Sequence, residues 1–121
     1  MNASDKPQVE RAGRKQKNRR EQELADIRAM LELREGRRFI WSRLEKCKVF
    51  ASIWDPSAKI HFLEGRRDVG LQLMADVAEA DETAFLVMMT EEQQQKKQER
   101  QEREALNQQA KEGQDARSES D

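Results

Sequence analysis

The chain has 121 residues, the length of one domain, and its 23 Lys and Arg nearly balance its 24 Asp and Glu. One cysteine excludes an intramolecular disulfide and a cysteine-rich zinc site, and one histidine excludes a multi-histidine metal site. No apolar run approaches the roughly 18 residues of a membrane span, and the N-terminus lacks the apolar stretch of a signal peptide. We therefore predict a small, soluble, helical protein that is made inside a cell and does not contact membranes.

Apolar and charged residues are unevenly distributed along the chain. Residues 1–23 hold four apolar and seven basic side chains, residues 24–90 hold 35 apolar side chains, and residues 91–121 hold four. Only the middle segment can bury enough apolar surface to offset the entropy lost on folding, roughly 1–2 kcal/mol per residue of backbone. The distribution predicts a flexible basic arm over residues 1–23, a helical core over 24–90 and a polar extension over 91–121.

Within the core, apolar residues recur three or four positions apart, which predicts α-helices. The first helix carries Leu24, Ile27 and Leu31 on one face. The glycine of Glu35-Gly36 is expected to end it, because glycine readily adopts the left-handed conformation found at helix ends. The second helix carries an apolar stripe formed by Phe39, Ile40, Leu44 and Cys47.

A non-helical connection is predicted from Ala51 to Pro56, because the residue before a proline is disfavoured in the helical conformation. The third helix is predicted to end near Ala80 and to bury the stripe Phe62, Val69, Leu73 and Val77. Leu63, Gly70 and Met74 are predicted to widen this stripe. Asp81 is predicted to cap the fourth helix by accepting hydrogen bonds from its first free amides. The whole pattern predicts an all-α fold with a core of four helices.

The fourth helix is predicted to begin an inner face with Ala84 and Phe85. Six large side chains are available to anchor the core: Phe39, Trp41, Phe50, Trp54, Phe62 and Phe85. After residue 90 the sequence keeps a high helix propensity but has Leu106 as its one large apolar residue, so a solvated helix to about residue 112 is favoured over a coiled coil. Residues 114–121 are predicted to be disordered.

Candidate catalytic and metal-binding residues are few. His61 and Glu64 share a predicted helix face, but a metal needs three or four ligands and no second histidine or cysteine lies near them. Cys47 stands between Lys46 and Lys48, yet it belongs to an apolar stripe and is predicted to be a buried structural residue. No phosphate loop or dinucleotide fingerprint is present. The sequence predicts a protein that is not an enzyme and needs no cofactor.

The predicted arm contains a cluster of cations that no acidic residue interrupts. It consists of Arg11, Arg14, Lys15, Lys17, Arg19 and Arg20. Such a run attracts phosphate backbones without sequence selectivity. There are two alternatives: the cations contact an acidic protein surface, or they only increase solubility. The arm has no aromatic residue that would stack on bases, which argues against binding to nucleic acid.

Three segments of the core resemble a family of small phage proteins: Arg37–Phe50, Phe62–Asp81 and Glu82–Met89. Members of this family occur in short-tailed and related phages, the type member in a Bordetella phage, within gene clusters for head and portal proteins. The most specific match is the motif formed by Glu64, Gly65, Arg66, Arg67, Gly70 and Leu71. Relatives often carry proline where this chain has Glu82. The resemblance covers neither the arm nor the tail, and it implies a virion component or assembly factor without catalytic residues.

Two functions of different classes follow from these patterns. The first is a non-enzymatic phage structural or assembly protein, present in the virion or the host cytoplasm, whose core binds phage proteins of the capsid, portal or tail region. The alternative is a small nucleic-acid-binding protein that contacts DNA through the basic arm. Association into a homo-oligomer remains open under both functions.

Overall fold

The computed structural model describes residues 5–120, which form four α-helices and contain no β-strand. The helices are α1 (Lys6–Glu32), α2 (Arg34–Lys46), α3 (Lys59–Ala80) and α4 (Ala84–Ser120). The predicted all-α fold with four helices is therefore confirmed. Two compact units are distinguished along the chain, with the boundary between Phe85 and Leu86. Residues 1–4 of the predicted arm and Asp121 of the predicted tail lie outside the described residues.

Helix α1 crosses the boundary that the sequence placed between arm and core. It runs without interruption from Lys6, with Pro7 in its first turn, to Glu32. Lys, Arg, Gln, Glu and Ala dominate residues 6–23, and all five have high helix propensity. The structure thus places a helix where we predicted a flexible arm, and the buried residues of this helix begin at Leu24.

The break between α1 and α2 lies at Leu33 and not at Glu35-Gly36 as predicted. Leu33 is extended, with φ −97° and ψ 135°, whereas Gly36 lies inside α2 and no glycine among the described residues has a positive φ. A Cβ atom at Gly36 would lie 1.9 Å from the carbonyl oxygen of Met30. The glycine is needed for the close approach of α2 to the end of α1, and not for a left-handed turn.

The core of the first unit lies between α1, α2, α3 and the first turn of α4. Its buried apolar side chains are Leu24, Leu31, Ile40, Leu44, Val49, Val77, Ala80 and Ala84. Helix α3 comes closest to the end of α2 at Gly70, where a Cβ atom would lie 2.5 Å from Cys47 Cβ and 2.6 Å from Val49 Cγ2. The missing side chain at Gly70 sets which face of α3 turns inward.

The inward face of α3 agrees with part of the predicted stripe. Gly70 and Val77 are buried as predicted, and Leu63, Leu73 and Met74 are partly buried. The prediction is wrong at Phe62 and Val69, which are 66% and 62% exposed. The core contacts α3 on the Gly70 side of the stripe and leaves the Phe62 side outside.

Three of the six predicted aromatic anchors form one cluster. The ring centroid of Trp41 lies 4.9 Å from that of Phe50 and 5.7 Å from that of Phe85, within the range of favourable aromatic pairs. Phe50 is nevertheless 47% exposed at the edge of this cluster. The other three, Phe39, Trp54 and Phe62, are more than half exposed and form no part of it, so their prediction as core anchors is wrong.

Helix α4 continues through the whole polar extension. The predicted helix over residues 91–112 is present, but residues 114–120 are also helical where we predicted disorder. Favourable pairs four residues apart line this helix, such as Lys96 with Glu92 and Gln108 with Glu112. Every side chain from residue 96 to 119 is exposed.

Candidate binding surfaces

An exposed apolar surface lies on the N-terminal half of α3. Phe62, Gly65 and Val69 occupy positions i, i+3 and i+7, so they share one side of the helix. We call these three residues the apolar α3 face. Apart from its chain neighbours and the backbone of α3 itself, nothing lies within 4 Å of the position that a Cβ atom would take at Gly65, so the centre of the face is open. His61 and Arg66 line the same shallow groove and add polar groups at its edges.

Trp54 is a second large apolar group exposed in the same unit. It is 77% exposed and precedes a hydrogen-bonded turn that leads into α3. In this turn Asp55 Oδ1 accepts hydrogen bonds from the Ser57 backbone N–H at 2.8 Å and from the Ser57 hydroxyl at 2.6 Å. The Ser57 hydroxyl and backbone hold the pKa of Asp55 below its usual value. The connection that carries Trp54 is therefore ordered by its own side chains.

The six residues singled out as a motif in the sequence divide between two sides of α3. Glu64, Gly65, Arg66 and Leu71 are exposed, whereas Gly70 is buried against Cys47 and Val49. Arg67 is partly buried, and its buried Nε has no hydrogen-bond partner within the described residues. Gly70 thus serves packing, while Gly65 and Arg66 belong to the outer surface.

The six predicted cations of the arm are separated by the helix into two groups. Arg20 is partly buried and pairs with Asp76 at 2.8 Å and Glu79 at 2.5 Å, both on α3. These hydrogen bonds, with that to Glu79 first, raise the pKa of Arg20. Arg20 therefore fixes α1 to α3 and is not available to an external ligand.

The remaining cations of the cluster are exposed. At about 100° per residue, four of them fall within an arc of roughly 140° on one side of α1. They are Arg11, Arg14, Lys15 and Arg19, and we call them the basic α1 face. Asn18 lies within the same arc, whereas Lys17 projects to another side.

The acidic partners of Arg20 were missed by sequence reasoning. Asp76 and Glu79 lie 56 and 59 residues further along the chain, and no local pattern connects them to Arg20. One signal was present in α1 itself. Arg20 precedes Leu24 by four positions and Leu31 by eleven, so it shares the helix face that enters the core.

The predicted chemical candidates are not brought together. His61 and Glu64 are both exposed on α3, and Cys47 is a partly buried free thiol. Within residues 5–120, no group of three or more His, Cys, Asp and Glu side chains is arranged to hold a metal ion. None of the described helices combines the length and apolar character needed to cross a membrane.

No protein-family model matches this chain, and no curated protein or solved structure shows significant similarity to it. Functional inference therefore depends on the two surfaces described above, one apolar on α3 and one cationic on α1. Both have the properties of binding surfaces, because side chains that can bury apolar area or neutralise charge are left exposed.

Proposed function

We propose that this chain is a non-enzymatic structural or assembly protein of a bacteriophage, which binds other phage proteins through its helical core. The observation that carries the proposal is the apolar α3 face. Phe62 and Val69 stand about two thirds exposed on a helix whose opposite side is already committed to the core. A partner that covers them would gain roughly 25 cal/mol for each Å² of apolar surface removed from water.

The composition of the face suits a protein partner. Buried aromatic side chains contribute a large part of the binding energy of protein interfaces, and Phe62 supplies the aromatic side chain of this face. The open space above Gly65 permits close approach of a partner's backbone, and Arg66 offers a polar group at the edge. An apolar centre with a polar rim is the usual composition of a protein–protein interface.

The resemblance of residues 37–89 to small phage proteins supplies the class of partner. Two residues of the resembling motif, Gly65 and Arg66, line the same groove as Phe62 and Val69. We therefore assign the surface to contacts with capsid, portal or tail-region proteins. The protein would then occupy the virion, or the host cytoplasm while particles assemble.

The test is carried out in the phage or lysogen that encodes the chain. Replacing Phe62→Ser and Val69→Ser together removes the apolar α3 face without altering a buried side chain. The matched control is Leu106→Ser, which removes an equally exposed leucine from α4. Circular dichroism of the purified variants checks that both retain the helical fold.

Purified particles and assembly intermediates are then analysed by mass spectrometry for peptides of this chain, relative to capsid protein. We expect the parent chain and the Leu106→Ser control to be incorporated equally, and the double variant to fall at least tenfold, which corresponds to about 1.4 kcal/mol of binding energy. Absence of the parent chain from both fractions, with capsids assembling normally after gene deletion, would overturn the proposal.

A further inference from the structure

We propose that the basic α1 face binds the phosphate backbone of double-stranded nucleic acid. This inference does not depend on the proposed phage function, because it concerns a different surface and needs no phage protein. It is carried by the distribution of charge along α1, by the exposure of the helix and by the spacing of its cations.

Charge on the N-terminal half of α1 is segregated from the rest of the chain. Residues 6–20 contain seven Lys and Arg and one acidic residue, Glu10, although the whole protein has a net charge of −1. Glu10 lies outside the arc of the basic α1 face when the residues are placed at about 100° intervals. A local excess of positive charge of this kind attracts polyanions even when the whole molecule is slightly acidic.

The four cations of the basic α1 face are available to a ligand. All of them are exposed, and none forms an ion pair within residues 5–120. Arg20, by contrast, is already neutralised by Asp76 and Glu79. The structure therefore distinguishes the cations that fix α1 to the core from those that face solvent.

The shape of this segment fits a duplex. Every side chain from residue 6 to 19 is exposed, and at 1.5 Å per residue this stretch of helix is about 21 Å long. The major groove of B-DNA, about 12 Å wide, admits an α-helix. Arg11, Lys15 and Arg19 follow one another at rises of about 6 Å, so they can contact successive phosphates along one strand.

The residue types of α1 favour duplex over single-stranded nucleic acid. Proteins that bind single strands stack bases on aromatic side chains, and α1 contains no Phe, Trp or Tyr. Contacts from Arg and Lys to phosphate oxygens position a protein on a duplex without reading its sequence. We therefore assign a sequence-independent contact with the phosphate backbone.

The experiment measures binding of the full chain to fluorescent 20-base-pair DNA by anisotropy, between about 50 and 200 mM salt. Four phosphate contacts predict that log K falls with log salt at a slope of about −3.6, from −0.9 per contact. Duplex RNA, single-stranded DNA and poly-glutamate serve as the other probes. Binding to duplex DNA alone, or to duplex DNA and duplex RNA, supports the proposal. Comparison of the two affinities shows whether the surface prefers DNA or accepts either duplex.

The test variant replaces the four cations of the face: Arg11→Gln, Arg14→Gln, Lys15→Gln and Arg19→Gln. The matched control makes the same change in net charge on α4: Lys96→Gln, Lys97→Gln, Arg100→Gln and Arg103→Gln. We expect the test variant to lose at least tenfold in duplex affinity and most of the salt slope, while the control keeps both. Circular dichroism confirms that each variant remains helical.

Three results would overturn the proposal. Equal loss of duplex affinity in both variants would show a general effect of net charge and not a surface on α1. Tighter binding to single-stranded DNA, or to poly-glutamate, than to either duplex would identify another class of ligand. Absence of salt-dependent binding to both duplexes at about 50 mM salt would exclude a phosphate-binding surface of this size.

Discussion

The carboxylate of Asp81 connects the end of α3 to the start of α4 through local hydrogen bonds. Its Oδ1 accepts from the Thr83 backbone N–H and from the Thr83 hydroxyl, both at 2.9 Å. The carboxylate thus accepts from an amide within the predicted range of Glu82 to Ala84, but at Thr83, one residue before α4 begins, and Asp81 itself is the C-cap residue of α3. These hydrogen bonds, that from the Thr83 backbone first, hold the pKa of Asp81 below its usual value.

The lowered pKa makes the stabilising effect of Asp81 dependent on pH. A carboxyl group whose pKa is lower in the folded than in the unfolded state contributes stability above its unfolded pKa of about 3.9, and this contribution is lost as pH falls through the folded value. We expect Asp81→Ala to lower the thermal unfolding midpoint at pH 7 and to have a smaller effect near pH 2. Asp81→Asn, which keeps an oxygen acceptor, serves as control and should lose less at pH 7. A difference from the parent chain that stays constant with pH would contradict this role.

Single residues were predictable from the sequence where their partners are close along the chain. Asp81 bonds to a residue two positions away, so a capping pattern was sufficient to identify it. Arg20 forms ion pairs with residues on another helix. Only the three-dimensional structure could therefore show that its role differs from that of the other cations. The same holds for Gly36, because its close neighbour is the backbone of Met30 across the helix break.

At the scale of elements, α3 contains two glycines with opposite environments. Gly70 faces the end of α2, where a Cβ atom would lie within 3 Å of Cys47 Cβ and Val49 Cγ2. Gly65 faces open space. Because both lie inside the same helix, alanine brings the same gain in helix propensity, about 0.5–1 kcal/mol, at either position. Any difference in stability between the two alanine variants therefore comes from packing around the added Cβ atom.

We expect Gly65→Ala to raise the free energy of unfolding by about 0.5–1 kcal/mol. Gly70→Ala should lower it, because overpacking a core contact costs about 1–3 kcal/mol and exceeds the gain in propensity. Urea unfolding of both variants beside the parent chain measures the two effects. Stabilisation by Gly70→Ala would show that α3 does not contact the α2 end as closely as the structure places it.

The existence of the helices could be predicted from the sequence, but the orientation of α3 could not. Its predicted stripe was wide, with Phe62 and Val69 at one edge and Leu63, Gly70 and Met74 at the other. Periodicity identifies such a helix but does not say which edge of the stripe is buried. The core packs against the Gly70 edge, because a glycine allows closer packing than any side chain. The apolar α3 face is the edge that was left outside.

At the scale of the whole molecule, helical structure extends beyond the part that buries side chains. Residues 6–19 of α1 and 96–119 of α4 are helical, and every side chain in them is exposed. Isolated helices of this composition are marginal in water, because most helical stability in proteins comes from packing of an apolar face. The aromatic cluster of Trp41, Phe50 and Phe85 lies in the first unit, as do the fully buried side chains Leu44 and Val77, and cooperative unfolding is expected there.

The last prediction follows from the presence of helical segments that bury no side chain beside a core that does. In a Trp54→Phe background, Trp41 is the one remaining tryptophan and reports on the packed core, whereas circular dichroism at 222 nm reports on all helices. We expect the dichroism to decline gradually on heating before the core unfolds, because the exposed helices lose structure without a cooperative barrier. Trp41 fluorescence should instead change in a single later transition. Deleting residues 100–121 should remove much of the gradual phase and leave the Trp41 transition unchanged, since every side chain from residue 100 to 119 is exposed. If dichroism and fluorescence coincide at every temperature, the exposed helices must be packed in solution, and a second copy of the chain would be the first partner to test by sedimentation.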